Sequence, residues 1–354
     1  MKNTKYFYSF FFSIIIFLLI IPLINFYMDP FNYYNSNKDS FERRISKNLV
    51  NYQSVSIHSD WQDHLLKYFL LLNSDYNQNI LIGSSRSYAI NSKIIGEKIM
   101  NYSLSAAGVE EIISFTNLST TKKKVDKIII SIDPWIFDEK YNKLSPIFYN
   151  FYKNGLNEIS QKPDKKDFLK NIKRKISYLY KPYILFRSFI EIFYKVLSKE
   201  VYLTYDKFED NINYENTHII KPDGSLIYPK KIFLIKHDKI QEEVFKEMQN
   251  YKDLRFNFSR KKTNILLDYI NQLAKTKKVE ILFIPYNPLS FRVINSRSRN
   301  FFLSEEIIKK NLDSKKNIKL IGSFNPNKTK CLQKDFLDSH HPRLACISKL
   351  YKFN

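Results

Sequence analysis

The sequence predicts an α/β fold: a flavodoxin-like, doubly wound parallel sheet with a large insertion and an N-terminal transmembrane helix. Three observations lead to this prediction. Short apolar runs alternate with segments of helical periodicity, and strands that alternate with helices form parallel sheets with covered faces. A long stretch in the middle of the chain lacks this alternation, and an uncharged apolar run lies close to the N-terminus.

Five apolar runs bounded by turn residues are the predicted strands. They are NILIG (79–83), NYSLS (101–105), DKIIISID (126–133), VEILFIP (279–285) and NIKLIG (317–322). Helical periodicity predicts helices over residues 61–73, 88–99, 109–121, 257–277, 304–312 and 342–352. In a doubly wound sheet, the functional site is expected at the carboxyl ends of the strands.

Residues 134 to about 255 interrupt the alternation, and we predict that they form an insertion between the third and fourth strands. The segment is rich in Tyr, Phe and Lys. One convincing helix covers residues 182–199, and KPDGSLIYPKK (221–231) is typical of a turn beside an extended segment. Insertions of this size form lids, substrate-binding surfaces or packing elaborations, and the sequence leaves these alternatives open.

Residues 6–28 carry no charge, and a helix needs about 20 apolar residues to cross the hydrocarbon core of a membrane. Two lysines precede this run, so the positive-inside rule predicts a cytoplasmic N-terminus. A cleaved signal peptide is the alternative, but the run lacks the small residues of a cleavage site. We therefore expect a single-pass protein of the inner (cytoplasmic) membrane. Residues 1–28 would be its stub and anchor, and residues 29–354 a periplasmic or otherwise extracytoplasmic domain.

The formal net charge is +22, from 57 Lys and Arg against 35 Asp and Glu. Such a charge is compatible with nucleic acid or an anionic envelope as partner. The lysines are scattered and no nucleic-acid-binding motif accompanies them, so we expect no nucleic-acid partner. The sequence also lacks a phosphate loop, a dinucleotide fingerprint and the spacing of a zinc ligand set. We therefore predict no cofactor and no metal.

The chain has two cysteines, Cys331 and Cys346. An exported domain can join such a pair in a disulfide, whereas the alternative is two unpaired buried thiols. If the domain is exported, we expect the disulfide, which would enclose the segment DFLDSHHPRLA.

The candidate catalytic residues come from two distant loops. Ser85 follows the first strand in GSSRS and is predicted to open a helix at the carboxyl edge of the sheet. A serine becomes a nucleophile only beside a base. His340 and His341 lie in a loop after the last predicted strand, and Asp338 precedes His341 by three residues. Ser85, Asp338 and His341 thus supply the nucleophile, the orienting carboxylate and the base of a catalytic triad.

These motifs resemble those of the SGNH (GDSL-like) hydrolase superfamily over residues 79–133 and 257–352. GSS (83–85) resembles the first block, NYSLSAAG the second and DSHHP the last. The resemblance implies that Ser85 is the nucleophile, that Asp338 and His341 complete the triad, and that the N–H of Gly108 faces the oxyanion. The third block departs from the pattern, because SIDPWIF stands where the family has an oxyanion-donating Asn.

Two neighbouring residues are further candidates. Arg86 either binds an anionic substrate or pairs with a carboxylate. Asp133 either lines the pocket with Trp135 or belongs to a turn in which Pro134 merely ends the strand.

The whole pattern resembles an anchored branch of the superfamily, with relatives in teichoic-acid D-alanylation and alginate-type O-acetylation. One hypothesis is an esterase or O-acyltransferase acting on a cell-envelope glycan or acylated polymer. The other is a non-catalytic anchored protein that binds such a glycan or a membrane-embedded partner. The intact Ser, Asp and His favour the first hypothesis, and the missing Asn favours the second.

Overall fold

The computed structural model describes residues 2–35, 39–57, 61–75, 77–197, 203–205, 214–233, 241–242, 244, 246 and 256–352. The strands are β1 (Ser54–Ile57), β2 (Asn77–Ile82), β3 (Ile99–Asn101), β4 (Lys124–Ile132), β5 (Leu203–Tyr205), β6 (His218–Ile220), β7 (Leu226–Ile227), β8 (Lys278–Phe283) and β9 (Ile318–Gly322). The α-helices are α1 (Lys2–Met28), α2 (Phe41–Val50), α3 (Asp63–Asn73), α4 (Ser92–Ile95), α5 (Val109–Lys122), α6 (Tyr149–Glu158), α7 (Lys165–Leu179), α8 (Pro182–Leu197), α9 (Lys230–Phe233), α10 (Arg260–Ala274), α11 (Pro288–Arg297), α12 (Leu303–Leu312), α13 (Pro326–Thr329) and α14 (Leu344–Lys352).

A five-stranded parallel sheet forms the centre of the fold, in the order β3-β2-β4-β8-β9. Successive residues of β4 point into two different apolar clusters. Ile128 and Ile130 pack in the cluster that contains Phe115 of α5, whereas Ile129 packs in the one that contains Ile347 of α14. Helices therefore cover both faces of the sheet, which explains why its strands read as continuous apolar runs.

The predicted parallel strands are present, with one displaced, and one predicted helix is wrong. The second strand is Ile99–Asn101, so most of NYSLS is the loop that follows it. The helix predicted over residues 88–99 is reduced to the single turn of α4. Asn91 caps that turn at its N-terminus, and Gly96, in the left-handed conformation, ends it.

A second, antiparallel sheet of order β5-β1-β6-β7 was not foreseen. Strand β1 precedes the parallel sheet in the chain, and the other three strands belong to the segment predicted as an insertion. The turn between β6 and β7 contains Gly224 at φ +79°, a left-handed conformation that glycine adopts without strain. Lys67 of α3 donates hydrogen bonds to the carbonyls of Gly224 and Asn101, and so joins this hairpin to the end of β3.

Helix α1 contains the apolar run predicted from the sequence. Its segment Tyr6–Met28 has a mean hydropathy of 2.7, and its side chains are mostly exposed, although Asn25 near its end is buried. By length and composition, this segment is able to cross a membrane. Its C-terminal end contacts α7 and α8.

Candidate functional site

The turn after β2 carries the predicted nucleophile. A Cβ at Gly83 would lie 2.5 Å from Ser131 Cβ and 2.7 Å from Ser87 Oγ, so glycine lets this turn pass close to β4. The Ser84 side chain then accepts the N–H of Arg86 and caps a 3₁₀ helix, Ser85–Ser87. The chain does not continue here as the predicted α-helix, and Ser85 lies on a tight turn at the carboxyl edge of the sheet.

Ser85, His341 and Asp338 form one hydrogen-bonded chain. Ser85 Oγ lies 3.0 Å from His341 Nε2, and His341 Nδ1 lies 2.6 Å from Asp338 Oδ2. The other carboxylate oxygen of Asp338 accepts the backbone N–H groups of His340 and His341. Burial alone would raise the pKa of Asp338, but the hydrogen bond and charge of His341 lower it well below its usual range. The carboxylate is therefore ionised, and it fixes the orientation of the His341 ring.

A disulfide joins Cys331 and Cys346, with their Cα atoms 5.3 Å apart, and this confirms the predicted pairing. It encloses the loop that bears Asp338 and His341. Within the loop, the backbone N–H of Leu337 donates to the carbonyl of His341 at 2.8 Å. The loop is thus closed both covalently and by its own hydrogen bonds.

Arg86 is fully buried and its guanidinium is used within the protein. It pairs with Asp133 at 2.6 Å, and donates to the His340 carbonyl at 2.8 Å and to the carbonyls of Ile284 and Pro285 at 2.8 and 2.6 Å. Of the two alternatives for Arg86, the structure shows the second, in which Arg86 pairs with a carboxylate. Arg86 also connects the serine turn (residues 83–87), the ends of β4 and β8, and the histidine loop (residues 331–346). It is therefore a positioning residue.

Asp133 lies beneath the pocket wall rather than among the residues that line it. Burial raises the pKa of Asp133, and the charge of Arg86 acts in the opposite direction. The 3₁₀ helix Pro134–Phe137 begins immediately afterwards, and its Trp135 does line the pocket.

A cavity of about 490 Å³ opens beside Ser85. Its wall is mostly aromatic and aliphatic, formed by Trp135, Phe256, Tyr286, Ile294 and Phe301. The polar residues around it are Ser85, Asp138, Lys140, Tyr141, Ser290, Ser339 and His340. Apolar walls combined with several polar groups are typical of a site for a small molecule.

Ala106, rather than Gly108, lines the cavity beside Ser85. Ala106 has a φ of 50°, and its carbonyl accepts a hydrogen bond from the Tyr141 hydroxyl. Gly108 is the N-cap of α5, two residues further along. Among the residues that the structure describes, no acceptor is found for the backbone N–H of Ser85 or of Ala106.

A second acid–histidine cluster, missed in the sequence, supports this loop. His64 lies between Asp63 and Glu111, at 2.6 and 3.0 Å. Burial alone would lower the pKa of His64, but the two carboxylates raise it to about 10. Asp63 in turn accepts hydrogen bonds from Tyr88 and from the backbone N–H of Ser105, beside Ala106. No spacing in the sequence joins residues 63–64 to residue 111, so only the folded chain reveals this cluster.

The histidine loop also offers donors that a metal ion accepts, although the sequence predicted no metal site. Asp338, His340 and His341 each place one ligand atom within 4.8 Å of the others. Both ring nitrogens of His341 are engaged, Nδ1 by Asp338 and Nε2 by Ser85, so a metal on this ring would compete with one of these contacts. Burial and the neighbouring His341 lower the pKa of His340 to about 4. His340 is therefore neutral near pH 7 and lines the cavity as an uncharged ring.

No protein-family model matches the chain, and no curated protein matches it either. The function is therefore argued from the geometry of the site.

Proposed function

We propose that this protein is a membrane-anchored serine acyl-transfer enzyme, an esterase or O-acyltransferase, that acts on a cell-envelope glycan or polymer. The observation that carries the proposal is the continuous chain Ser85 Oγ–His341 Nε2, His341 Nδ1–Asp338 Oδ2, with distances of 3.0 and 2.6 Å. A nucleophile, a base and an orienting carboxylate in hydrogen-bond contact are the requirements of serine acyl transfer.

The reaction follows from these contacts. Ser85 Oγ attacks the acyl carbonyl while His341 Nε2 accepts its proton, and the ionised Asp338 stabilises the imidazolium that forms. His341 then returns the proton to the leaving alcohol, and an acyl-Ser85 ester remains. Water or a polymer hydroxyl, deprotonated by His341, attacks this ester and releases Ser85 again. Hydrolysis and transfer differ in the acceptor alone.

The backbone N–H groups of Ser85 and Ala106 are our candidates for the oxyanion site. Ala106 lines the cavity beside Ser85, and Lys143 donates a hydrogen bond to the Ser105 carbonyl, which shares a peptide group with the Ala106 N–H. The oxyanion role of Gly108 stays a prediction from the resemblance. Without the family's Asn, the site would have one donor fewer, and one such donor is worth on the order of 100-fold in rate.

Four features support an SGNH-like enzyme of the envelope. Numbered along the chain, the strands of the parallel sheet run 2-1-3-4-5, which is the flavodoxin-like order. The serine turn and the histidine loop follow its first and last strands. Segment Tyr6–Met28 is long and apolar enough for an anchor, and the Cys331–Cys346 disulfide suits an oxidising compartment. We infer that the N-terminus is cytoplasmic and the domain lies outside.

The second candidate is a non-catalytic anchored protein that binds an envelope glycan or a membrane-embedded partner. One observation favours it: the position of the missing Asn is occupied by Asp133, which is bound to Arg86 and directs no donor into the cavity.

An acyl-ester assay separates the two candidates. The full chain, solubilised in detergent, is incubated with p-nitrophenyl acetate, with and without a polysaccharide acceptor. The enzyme hypothesis predicts release of nitrophenol that is lost in Ser85→Ala and retained in Ser290→Ala, a second serine of the same cavity. Equal, background-level release from all three proteins would support the binding hypothesis instead.

A further inference from the structure

Helix α7 has an unusual distribution of side chains for a helix on a water-exposed surface. Over most of its length the face that packs on the domain is polar: Asp167 accepts a hydrogen bond from Asn142, and Arg174 donates to the carbonyls of Leu144 and Asn142. At its C-terminal turn, Tyr178 packs in a small apolar cluster with Phe31 and Ile184. The apolar residues Phe168, Leu169, Ile172 and Ile176 are exposed instead. A helix in water normally buries its apolar face, so this arrangement points to a contact outside the chain.

The exposed residues form one continuous stripe. Phe168, Ile172 and Ile176 are spaced by four residues, which places them on one face of the helix, and Leu169 lies beside them. Side chains of Tyr180, at the end of α7, and of Tyr183, Phe186 and Phe189, in α8, are also about half exposed or more. We call these eight residues the apolar surface of the α7–α8 hairpin. Contiguous exposed apolar surface of this kind marks a contact with a protein or a membrane.

The position of the hairpin decides between these two. Asn25, inside the apolar segment of α1, donates to the carbonyl of Leu179 at 2.7 Å. Just beyond that segment, Phe31 N–H donates to Tyr178 Oη at 3.2 Å, and Tyr34 Oη donates to the carbonyl of Lys175 at 2.6 Å. The C-terminal turn of α7 is thus fixed where the apolar segment of α1 ends, which is where a bilayer surface would lie.

The composition of the hairpin agrees with this position. Tyr180 and Tyr183 lie at the connection between its helices, and tyrosines are enriched at membrane–water interfaces. Lys166, Lys170 and Lys173 follow the apolar stripe around the exposed side of α7. A basic flank beside an apolar stripe is typical of helices that lie in the plane of the headgroups.

We propose that the α7–α8 hairpin lies in the headgroup region of the same phospholipid bilayer that α1 crosses. This inference rests on the proposed membrane anchoring of α1, but it does not depend on the acyl-transfer activity. The hairpin adds a second contact with the membrane. This contact would hold the domain in one orientation, whereas a single helix would leave it free to rotate.

Site-directed spin labelling tests this contact directly. Both native cysteines are joined in the disulfide, so an introduced cysteine is the one free thiol. The full chain is reconstituted in phosphatidylcholine–phosphatidylglycerol nanodiscs with a nitroxide at Ile172→Cys or Ile176→Cys. The matched control is Lys170→Cys on the same helix, and Phe12→Cys is the reference inside α1. Collision rates with oxygen, which concentrates in lipid, and with a water-soluble nickel chelate are compared.

We expect the oxygen-to-nickel ratio at residues 172 and 176 to exceed that at residue 170 several-fold and to approach that at residue 12. Nickel accessibility at 172 and 176 equal to that at 170, with residue 12 still in lipid, would overturn the inference and leave the anchor intact. Labels accessible to neither reagent would indicate a protein contact and overturn it as well. An aqueous label at residue 12 would overturn the anchoring and the inference together. Circular dichroism of each labelled protein verifies folding.

Discussion

Arg86 and Asp133 form a buried ion pair, 2.6 Å from Nη1 to Oδ1, below the cavity in which Ser85 lies. The same guanidinium donates to the carbonyl of His340, next to the proposed base His341. The serine turn and the histidine loop are more than 250 residues apart in the chain, and Arg86 gives them a shared contact. The pair therefore contributes both to the stability of the domain and to the geometry of the site.

Replacing Arg86 by methionine should strongly destabilise the protein. Asp133 would remain in the interior without its partner, and an unpaired buried charge of this kind costs about 3–5 kcal/mol. The free energy of unfolding, measured by denaturant titration of the detergent-solubilised chain, should fall by this amount. The matched control is Lys98→Met, which removes a mostly exposed ion pair with Asp75 and should cost less than about 1 kcal/mol. Equal effects of the two substitutions would contradict the role assigned to Arg86.

His64 should make stability depend on pH. Its pKa is raised from 6.5 to about 10 in the folded chain, so the folded state holds this proton more tightly than the unfolded state. The resulting stabilisation is complete below pH 6.5 and is lost as the pH rises towards 10. In His64→Gln, the free energy of unfolding should therefore fall less between these pH values than in the unchanged protein. Parallel pH profiles would show that His64 is not charged in the folded state.

Reduction of the Cys331–Cys346 disulfide should loosen the histidine loop. The two cysteines are 15 positions apart in the chain, and closing a loop of that size contributes about 3 kcal/mol in the entropic account. The double variant Cys331→Ser/Cys346→Ser should lose about this much stability and part of its acyl-ester turnover. Protein purified without reductant should contain no titratable thiol, and two thiols per chain would refute the pairing.

Metal removal should leave turnover unchanged. Asp338, His340 and His341 have metal-binding side chains, but the proposed reaction uses both ring nitrogens of His341, one of which a metal would occupy. Dialysis against a chelator should not reduce ester hydrolysis, and added zinc should inhibit it. Loss of activity on chelation, with recovery on adding zinc, would assign this loop to metal chemistry.

The triad residues should act as a unit. Ser85→Ala and His341→Ala should each remove most turnover, and the double variant should be little worse than either one. Asp338→Asn should cost less than either substitution, because orientation of the ring is one part of its role. Circular dichroism should be unchanged in all of them. If the losses of turnover in the two single variants multiplied in the double variant, Ser85 and His341 would act independently, which would contradict a shared mechanism.

The sequence was sufficient where local signals and folded structure agree. The β-branched run of β4 predicted a buried strand because both faces of a parallel sheet are covered, and GSSRS and DSHHP follow strands whose carboxyl ends share one edge. The sequence was insufficient where contacts between residues far apart in the chain determine the structure. Strands β1 and β5–β7 have two to four residues each, too few for a periodicity to appear before they pair.

In the candidate site, too, local motifs predicted some residues, whereas distant contacts place others. The hydrogen bonds of Ser85, Asp338 and His341 agree with the predicted triad because each residue sits in a recognisable motif. Arg86 could not be assigned from its motif, since its partner Asp133 comes from another strand. The place of Ala106 in the cavity was not predicted, because it depends on a backbone conformation that alanine seldom adopts.

Covalent labelling with a serine-reactive fluorophosphonate tests the central claim most directly. The full chain is treated with the probe at neutral pH, digested, and the modified residue is located by mass spectrometry. We predict a phosphonyl adduct on Ser85 that is absent in Ser85→Ala, strongly slowed in His341→Ala and retained in Ser290→Ala. An unlabelled Ser85 in the folded, disulfide-bonded protein would contradict the account and leave the non-catalytic binding protein as the better description.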